Sequence, residues 1–328
     1  MSNVTRNSDS QVVVWHIGGE GEYGPAQTVL DALAPNVLLV IFEARNDSGD
    51  KEHASQLSVD GIPTTVIYKG ISSSRGKAPF YVNKNRLSSS LLPPSPLALD
   101  ENPRYGFCHT WRENSELDYI MEVDTVTLDD ILASGAVPPP DIISMDAQGA
   151  ELRILHGAEK TLEHTLCVVT EVEFFEIYED QHLFDDQMRF LSHKGFRLLD
   201  VYNVQFWHPG PAMGIGFKTV GEAIFIRYAC DLKLIEGKRG YVPIDSISDE
   251  ELLRLIGITM AFNVSGYVFT LAKELRKRNP IMYATLPHLT GCYKVIHRLV
   301  DTVEKDWESY KADPMHFRKL KFDWKVAE

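Results

Sequence analysis

DIISMDAQGAELRILHGAEKTL, residues 141–162, changes texture twice within a few positions. DIISM is continuously apolar, the composition of a strand buried on both faces. It stops at Asp146. Gly149 permits a sharp turn, and over 149–163 the apolar residues recur at helical spacing. Glu151 falls in the first helical turn, where negative charge suits the helix dipole. A buried parallel strand running into a helix delivers Asp146 to the carboxyl edge of an open sheet, which is where such sheets bind ligands. Asp146 is therefore expected to meet a cofactor or substrate.

The neighbouring segments extend this reading. QVVVWHI (11–17), NVLLVIFEA (36–44), IPTTVIY (62–68) and LCVVTEVEFF (166–175) are further buried strands. Helical spacing marks 24–33, with Pro25 near its start, and 184–195, closed by Gly195. Residues 118–135 read as a strand running into a short helix, with Thr127 as N-cap and Asp130 three positions on. Residues 78–107 begin as a strand and become a Ser/Pro-rich loop. Residues 196–207 and 222–228 read as a terminal antiparallel pair. The order describes an α/β sheet covered on both faces. From about 230 the pattern turns helical, opening at Ser248 and Glu251 with capping-box spacing. The expected division is a disordered lead-in (1–10), a nucleotide-binding-type domain (11–230) and a helical extension (231–328). The helices within 249–311 are expected to act as a lid or a homodimer interface, and the basic, aromatic tail HFRKLKFDWK as a packed helix end.

Composition narrows the function classes. The chain has 328 residues, 44% hydrophobic and 24% charged, with a formal net charge of -13. A diffuse acidic balance argues against sequence-independent nucleic-acid binding, which needs a basic surface. Cys108, Cys167, Cys230 and Cys292 are far apart and read as free thiols of a reducing compartment. Residues 1–11 contain no apolar signal-peptide core, and no run approaches the ~20 apolar residues of a membrane span. A cytoplasmic location is expected. No spacing of His, Cys or acidic residues suggests a metal.

HIGGEGEYG (16–24) follows the first strand directly. Gly19, Gly21 and Gly24 formally match G-x-G-x-x-G, letting a ligand approach the backbone at the start of a helix. The second strand ends at Glu43, placed to accept hydrogen bonds from the two hydroxyls of an adenosine ribose. Together these features describe a nucleoside-cofactor site without separating a nicotinamide cofactor from S-adenosylmethionine.

At SMDAQGAE the chain resembles the FkbM-type S-adenosylmethionine-dependent methyltransferases. VVWHIGGEGEYG stands at the family's first-strand glycine motif and VIFEA at its ribose-binding acid. VDTVTLDDIL followed by DIISMDAQGAELRILHGAEKTL resembles its V-x-T-L-D-D and D-x-E-G-x-E signatures. TEVEF, FLSHKGFRLLDV and PFYVNKNRLSSSL continue the likeness, which covers roughly residues 11–228. The resemblance implies a Rossmann-like class I methyltransferase fold with a mostly parallel seven-stranded sheet, helices on both faces and a C-terminal helical appendage. It implies S-adenosyl-L-methionine as cofactor, with His16, Gly18, Gly19, Gly21, Glu43, Asp146 and Gln148 at its site. The acceptor it implies is a small molecule: a sugar, glycolipid or polyketide-like compound. Two positions depart from the family pattern. His16 stands where the family has Asp, and Gln148 where it has the Glu of D-x-E-G.

Methyl transfer to a hydroxyl needs alignment of the acceptor and a base for its proton. Asp146 is the first candidate base. Glu171 and Glu173 follow, one of the pair being expected to point into the packing of the sheet, where a carboxylate needs a partner. His182 is a further catalytic candidate, and Tyr178 beside it is expected to line the acceptor pocket. Asn83, Asn85, Arg86 and Ser88 to Ser90, Ser89 among them, are candidates for binding acceptor hydroxyls, as is Glu173. His208, in FWHPG, reads as part of a turn with packed aromatics. Two other classes stay open: a nicotinamide-dependent oxidoreductase, argued from the glycines and Glu43, and a methyltransferase-like domain that binds without catalysis.

Overall fold

The computed structural model describes residues 4–18, 23–45, 58–96, 104–105, 109–110, 113, 115–207, 215–231, 239–289, 291–305 and 307. Apolar, β-branched runs become strands β1 (Val12–Ile17) and β2 (Val37–Glu43), every residue of which is buried, and between them lies α1 (Ala26–Leu33). Then come β3 (Thr64–Tyr68), β4 (Gly70–Ile71), β5 (Gly76–Asn83), β6 (Leu117–Val126) and α2 (Leu128–Ser134). The opening stretch supplies β7 (Ile142–Met145), α3 (Glu151–His156) and α4 (Thr161–His164). It is followed by β8 (Cys167–Glu173), α5 (Phe184–His193), β9 (Phe196–Tyr202) and β10 (Val220–Arg227). The C-terminal helices are α6 (Asp249–Ala261), α7 (Ser265–Arg278), α8 (Pro280–Thr285) and α9 (Ile296–Lys305).

Seven strands form one sheet in the order β3-β2-β1-β7-β8-β10-β9. The pairs β2/β3, β1/β2, β1/β7 and β7/β8 are parallel, and β10 runs antiparallel between β8 and β9. This is the Rossmann-like class I methyltransferase arrangement. The order reverses between β1 and β7, so the crevice at their carboxyl ends is the topological switch point.

The period-2 alternation of side chains along each strand sends them to two separate cores. Val13, Trp15, Ile143 and Val168 face a layer that includes α3, α4 and α5. Val12, Val14, Ile142, Cys167 and Ile224 face the opposite layer, which holds α1 and the C-terminal helices. The C-terminal helices thus share one core with the sheet. α6 opens on the capping box expected at Ser248, whose hydroxyl accepts from Glu251 N at 3.1 Å while Glu251 Oε2 accepts from Ser248 N at 2.9 Å.

Several expectations need correction. Residues 4–10, expected to be a disordered lead-in, are tied down: Arg6 donates to Asp141 Oδ2 at 2.7 Å, and Ser10 is buried. β3 is only half-buried, because it is the sheet's edge. The helix expected over 149–163 is two helices broken at Gly157. A Cβ there would lie 2.5 Å from Ser72 O, so the crossing chain needs the glycine. Asp129 then caps the second helix, its Oδ1 accepting from Thr161 N at 2.8 Å. The strand expected over 196–207 stops at Tyr202, and Asn203 takes a left-handed φ of 49°. β5 pairs with β6 rather than with the main sheet, giving a separate three-stranded sheet with β4. Cys167, Cys230 and Cys292 carry free thiols. Cys108, His208 and the 316–325 tail lie outside the described residues, and among those described no helix is long and apolar enough to cross a membrane.

Candidate functional site

Three strand ends converge at the Asp146 corner. Asp146 N donates to Ile17 O at 3.0 Å, and Gly18 N donates to Phe42 O at 3.3 Å. Gly18 has φ +105°, and a Cβ on it would stand 2.0 Å from Asp146 O. Only glycine meets both demands. The resulting cleft is lined by Gly18, Glu43, Asp146 and Gln148, with Ile71 and Phe80 on its apolar walls. Glu43 is buried and accepts from Arg45 N at 2.8 Å, with the Arg45 guanidinium at 3.9 Å. Among the described residues, none that lines the cleft comes from the C-terminal helices. Gly19 and Gly21 lie outside the described residues.

The turn itself is built on two consecutive left-handed residues, Gln148 at φ 53° and Gly149 at φ 91°. They swing the Gln148 amide back over the strand ends. Its Nε2 donates to Asp146 Oδ1 at 2.6 Å and to Glu171 Oε2 at 2.9 Å. Tyr178, fully buried, donates its hydroxyl to Gln148 Oε1 at 2.7 Å, and Ser90 Oγ donates to Gln148 O at 2.7 Å. An ionised glutamate has no proton to give. Glutamine at this position is therefore a neutral bridge between two carboxylates.

Glu171 and Glu173 are two apart on β8 and leave it on the same side, so both point to the site; the expectation that one faces the packing is wrong. Glu151 joins them from the first turn of α3, its Oε1 accepting from Ala147 N at 2.7 Å. Oxygens of Glu151, Glu171 and Glu173 all lie within 4.8 Å of one another. The sequence showed no metal-ligand spacing; the fold nevertheless gathers three carboxylates beside Asp146. Burial, with the Asp146 charge adding to it, pushes the Glu151 carboxyl up to about 8. Burial and then Asp146 raise Glu171, and burial and then Glu151 raise Glu173. Burial also raises the Tyr178 phenol, so it stays a donor.

The remaining candidates separate. Asn83 is buried and donates to Ser88 O at 2.7 Å, so it shapes the Ser-rich turn. Ser89 and Arg86 line the cleft; Arg86 also donates to Asp118 Oδ2 at 2.9 Å. His182 is exposed, 3.6 Å from Asp186, and is not brought to the Asp146 cluster. His16 faces the α1 side of the sheet, 3.1 Å from both Ser144 Oγ and Gly18 O and under the Tyr23 ring, where it lines a smaller pocket together with Asp146 and Glu171. Sequence reasoning missed Ser90 as the anchor of the turn. The only signal was the serine run itself.

His16 carries a pH prediction. Burial pulls its pKa from 6.5 down to about 4. Below 6.5 the unfolded chain takes up a proton that the folded chain refuses. Stability from this group is present above that value and lost as pH falls towards 4. Its share of the loss between pH 7 and 5 is about 2 kcal/mol. Urea unfolding at the two pH values, run beside His16→Gln, should show that loss shrinking in the variant.

The strand order and the crevice residues define a class I methyltransferase-type domain. Residues 39–198 match the methyltransferase FkbM domain family, so over those residues the resemblance drawn from the sequence is borne out. The chain is 29% identical over 133 residues to the hexuronic acid methyltransferase AglP of Haloferax volcanii, covering 40% of this chain and 45% of that protein. It is 38% identical over 61 residues to the 2-O-methyltransferase NoeI of Sinorhizobium fredii, covering 19% of this chain and 25% of that one. The matches thus span less than half of either relative. Among solved structures, a precorrin-6y C5,15-methyltransferase from Geobacter metallireducens GS-15 is similar at 13% identity and a TM-score of 0.28, covering 67% of this chain and 84% of that one.

Proposed function

We propose that the chain transfers the methyl group of S-adenosyl-L-methionine to a hydroxyl oxygen of a sugar or sugar-like small molecule. The observation that carries this reading is that Gly18, Glu43 and the Asp146–Gln148 turn line one cleft at the switch point. The residues fit such a cofactor: a glycine with no room for a side chain, a buried acid at the end of β2, and apolar walls. Gly18, Glu43, Asp146 and Gln148 would hold it, with Gly19 and Gly21 proposed for the same role. When bound, S-adenosylmethionine supplies an electrophilic methyl group on a sulfonium sulfur. Asp146 takes the acceptor's hydroxyl proton, and Gln148 holds it against Glu171, the second candidate. Arg86, Ser89 and the Tyr178 side of the turn are the proposed acceptor wall. The relatives' names, a hexuronic acid methyltransferase and a 2-O-methyltransferase, support a sugar hydroxyl.

Calorimetric titration with S-adenosylhomocysteine tests the cofactor. Micromolar binding is expected, weakened at least tenfold by Glu43→Ala, because two ribose hydroxyls lose a charged acceptor worth roughly 1.5–3 kcal/mol. Binding of NAD(H) or NADP(H) instead would overturn the reading in favour of an oxidoreductase.

A further inference from the structure

We propose that Glu151, Glu171 and Glu173 form a binding site for one hard divalent cation of the Mg²⁺, Mn²⁺ or Ca²⁺ class. The three residues come from two elements, the first turn of α3 and the end of β8, and are held by the sheet rather than by a loop. Their oxygens lie within 4.8 Å of one another. That is the span available inside one coordination sphere, since two oxygens on a calcium ion at ~2.4 Å are separated by at most ~4.8 Å. The donor set is all oxygen, which favours these ions over zinc or copper.

A second observation points the same way. Glu173 is 1% exposed and Glu151 0% exposed, yet Glu173 Oε2 and Glu151 Oε2 receive no hydrogen bond. Buried carboxylate oxygens are normally satisfied, because an unpaired one costs several kcal/mol. Among the described residues no Lys or Arg pairs with Glu151, Glu171 or Glu173, and the side-chain donors to the three are two neutral amides, Gln148 on Glu171 and Gln181 beside Glu173. A cation would satisfy both orphaned oxygens at once. Lying beside Asp146, the ion would be placed to polarise an acceptor hydroxyl. That further role rests on the methyl-transfer reading; the site itself does not.

The test uses the full chain, stripped with EDTA and dialysed, titrated with MnCl₂ while free Mn²⁺ is followed by electron paramagnetic resonance. One ion per chain, saturating below about 1 mM and displaced by Ca²⁺ or Mg²⁺, is the expected result. Glu173→Gln and Glu151→Gln should each weaken uptake at least tenfold. Glu171→Gln, at the less buried position, keeps the test open if either of the others fails to fold. No uptake by folded wild-type protein at ~5 mM would overturn the proposal, as would uptake unchanged in the folded variants. S-adenosylhomocysteine binding is measured separately in EDTA, so failure of the cation site and failure of the cofactor reading are distinguishable.

Discussion

Asp141→Ala is expected to lower the unfolding free energy by about 3–5 kcal/mol, the range for breaking a buried ion pair from one side. Asp141 sits at the amino end of β7, 1% exposed. Its Oδ2 accepts from Arg6 at 2.7 Å and from Val13 N at 2.8 Å, and its Oδ1 accepts from Arg254 Nε at 2.7 Å. Removing the carboxylate strands a buried guanidinium on α6, left with Asp9 O at 2.9 Å as its described partner. It also orphans a strand N–H, which alone costs roughly 1–3 kcal/mol. Asp141→Asn keeps an acceptor for Val13 and should lose less. Urea unfolding of the three proteins decides the matter. A loss within 1 kcal/mol for the alanine variant would show that the clasp contributes little.

Asp146→Asn should reduce kcat by roughly 10²–10⁴-fold, the usual effect of removing a positioned base. Asparagine keeps an oxygen for the Gln148 amide, so stability should change little and S-adenosylhomocysteine affinity should fall far less than kcat. Glu171→Gln, measured beside it, separates the two candidates: the true base shows the larger kcat loss at unchanged affinity. If Asp146→Asn instead weakens S-adenosylhomocysteine binding and leaves kcat intact, Asp146 belongs to cofactor recognition.

Much of this corner could be read before any coordinates. The strand ends at Glu43 and Asp146 are marked by apolar runs that stop at an acid, and such runs leave a parallel sheet little freedom of placement. The glycine at 18 is demanded by a close backbone approach, and glycine-rich turns show that in sequence. Long-range pairing is what the sequence hid. Gln148 looked like a lost glutamate because its two acceptors, Asp146 and Glu171, come from different strands. The shared orientation of Glu171 and Glu173 follows from strand parity, two residues apart on one strand. The carboxylate cluster was invisible because Glu151 joins the β8 pair only through the turn at Gln148 and Gly149. His182 and Tyr178 are near neighbours in sequence, yet the Tyr178 side chain is buried in the site and that of His182 stands in solvent.

The placement of α6 to α9 against the sheet also sets the order in which the molecule can be completed. Every strand of the central sheet has been synthesised before Ser248 is made, at ~5–20 residues per second. Until then Ile142, Cys167 and Ile224 present an apolar face with much of its cover unsynthesised. Arg254, which closes on Asp141 from the other end of the chain, arrives later still. A nascent chain therefore holds this face of its strands uncovered for seconds, until α6 to α9 follow and close over it.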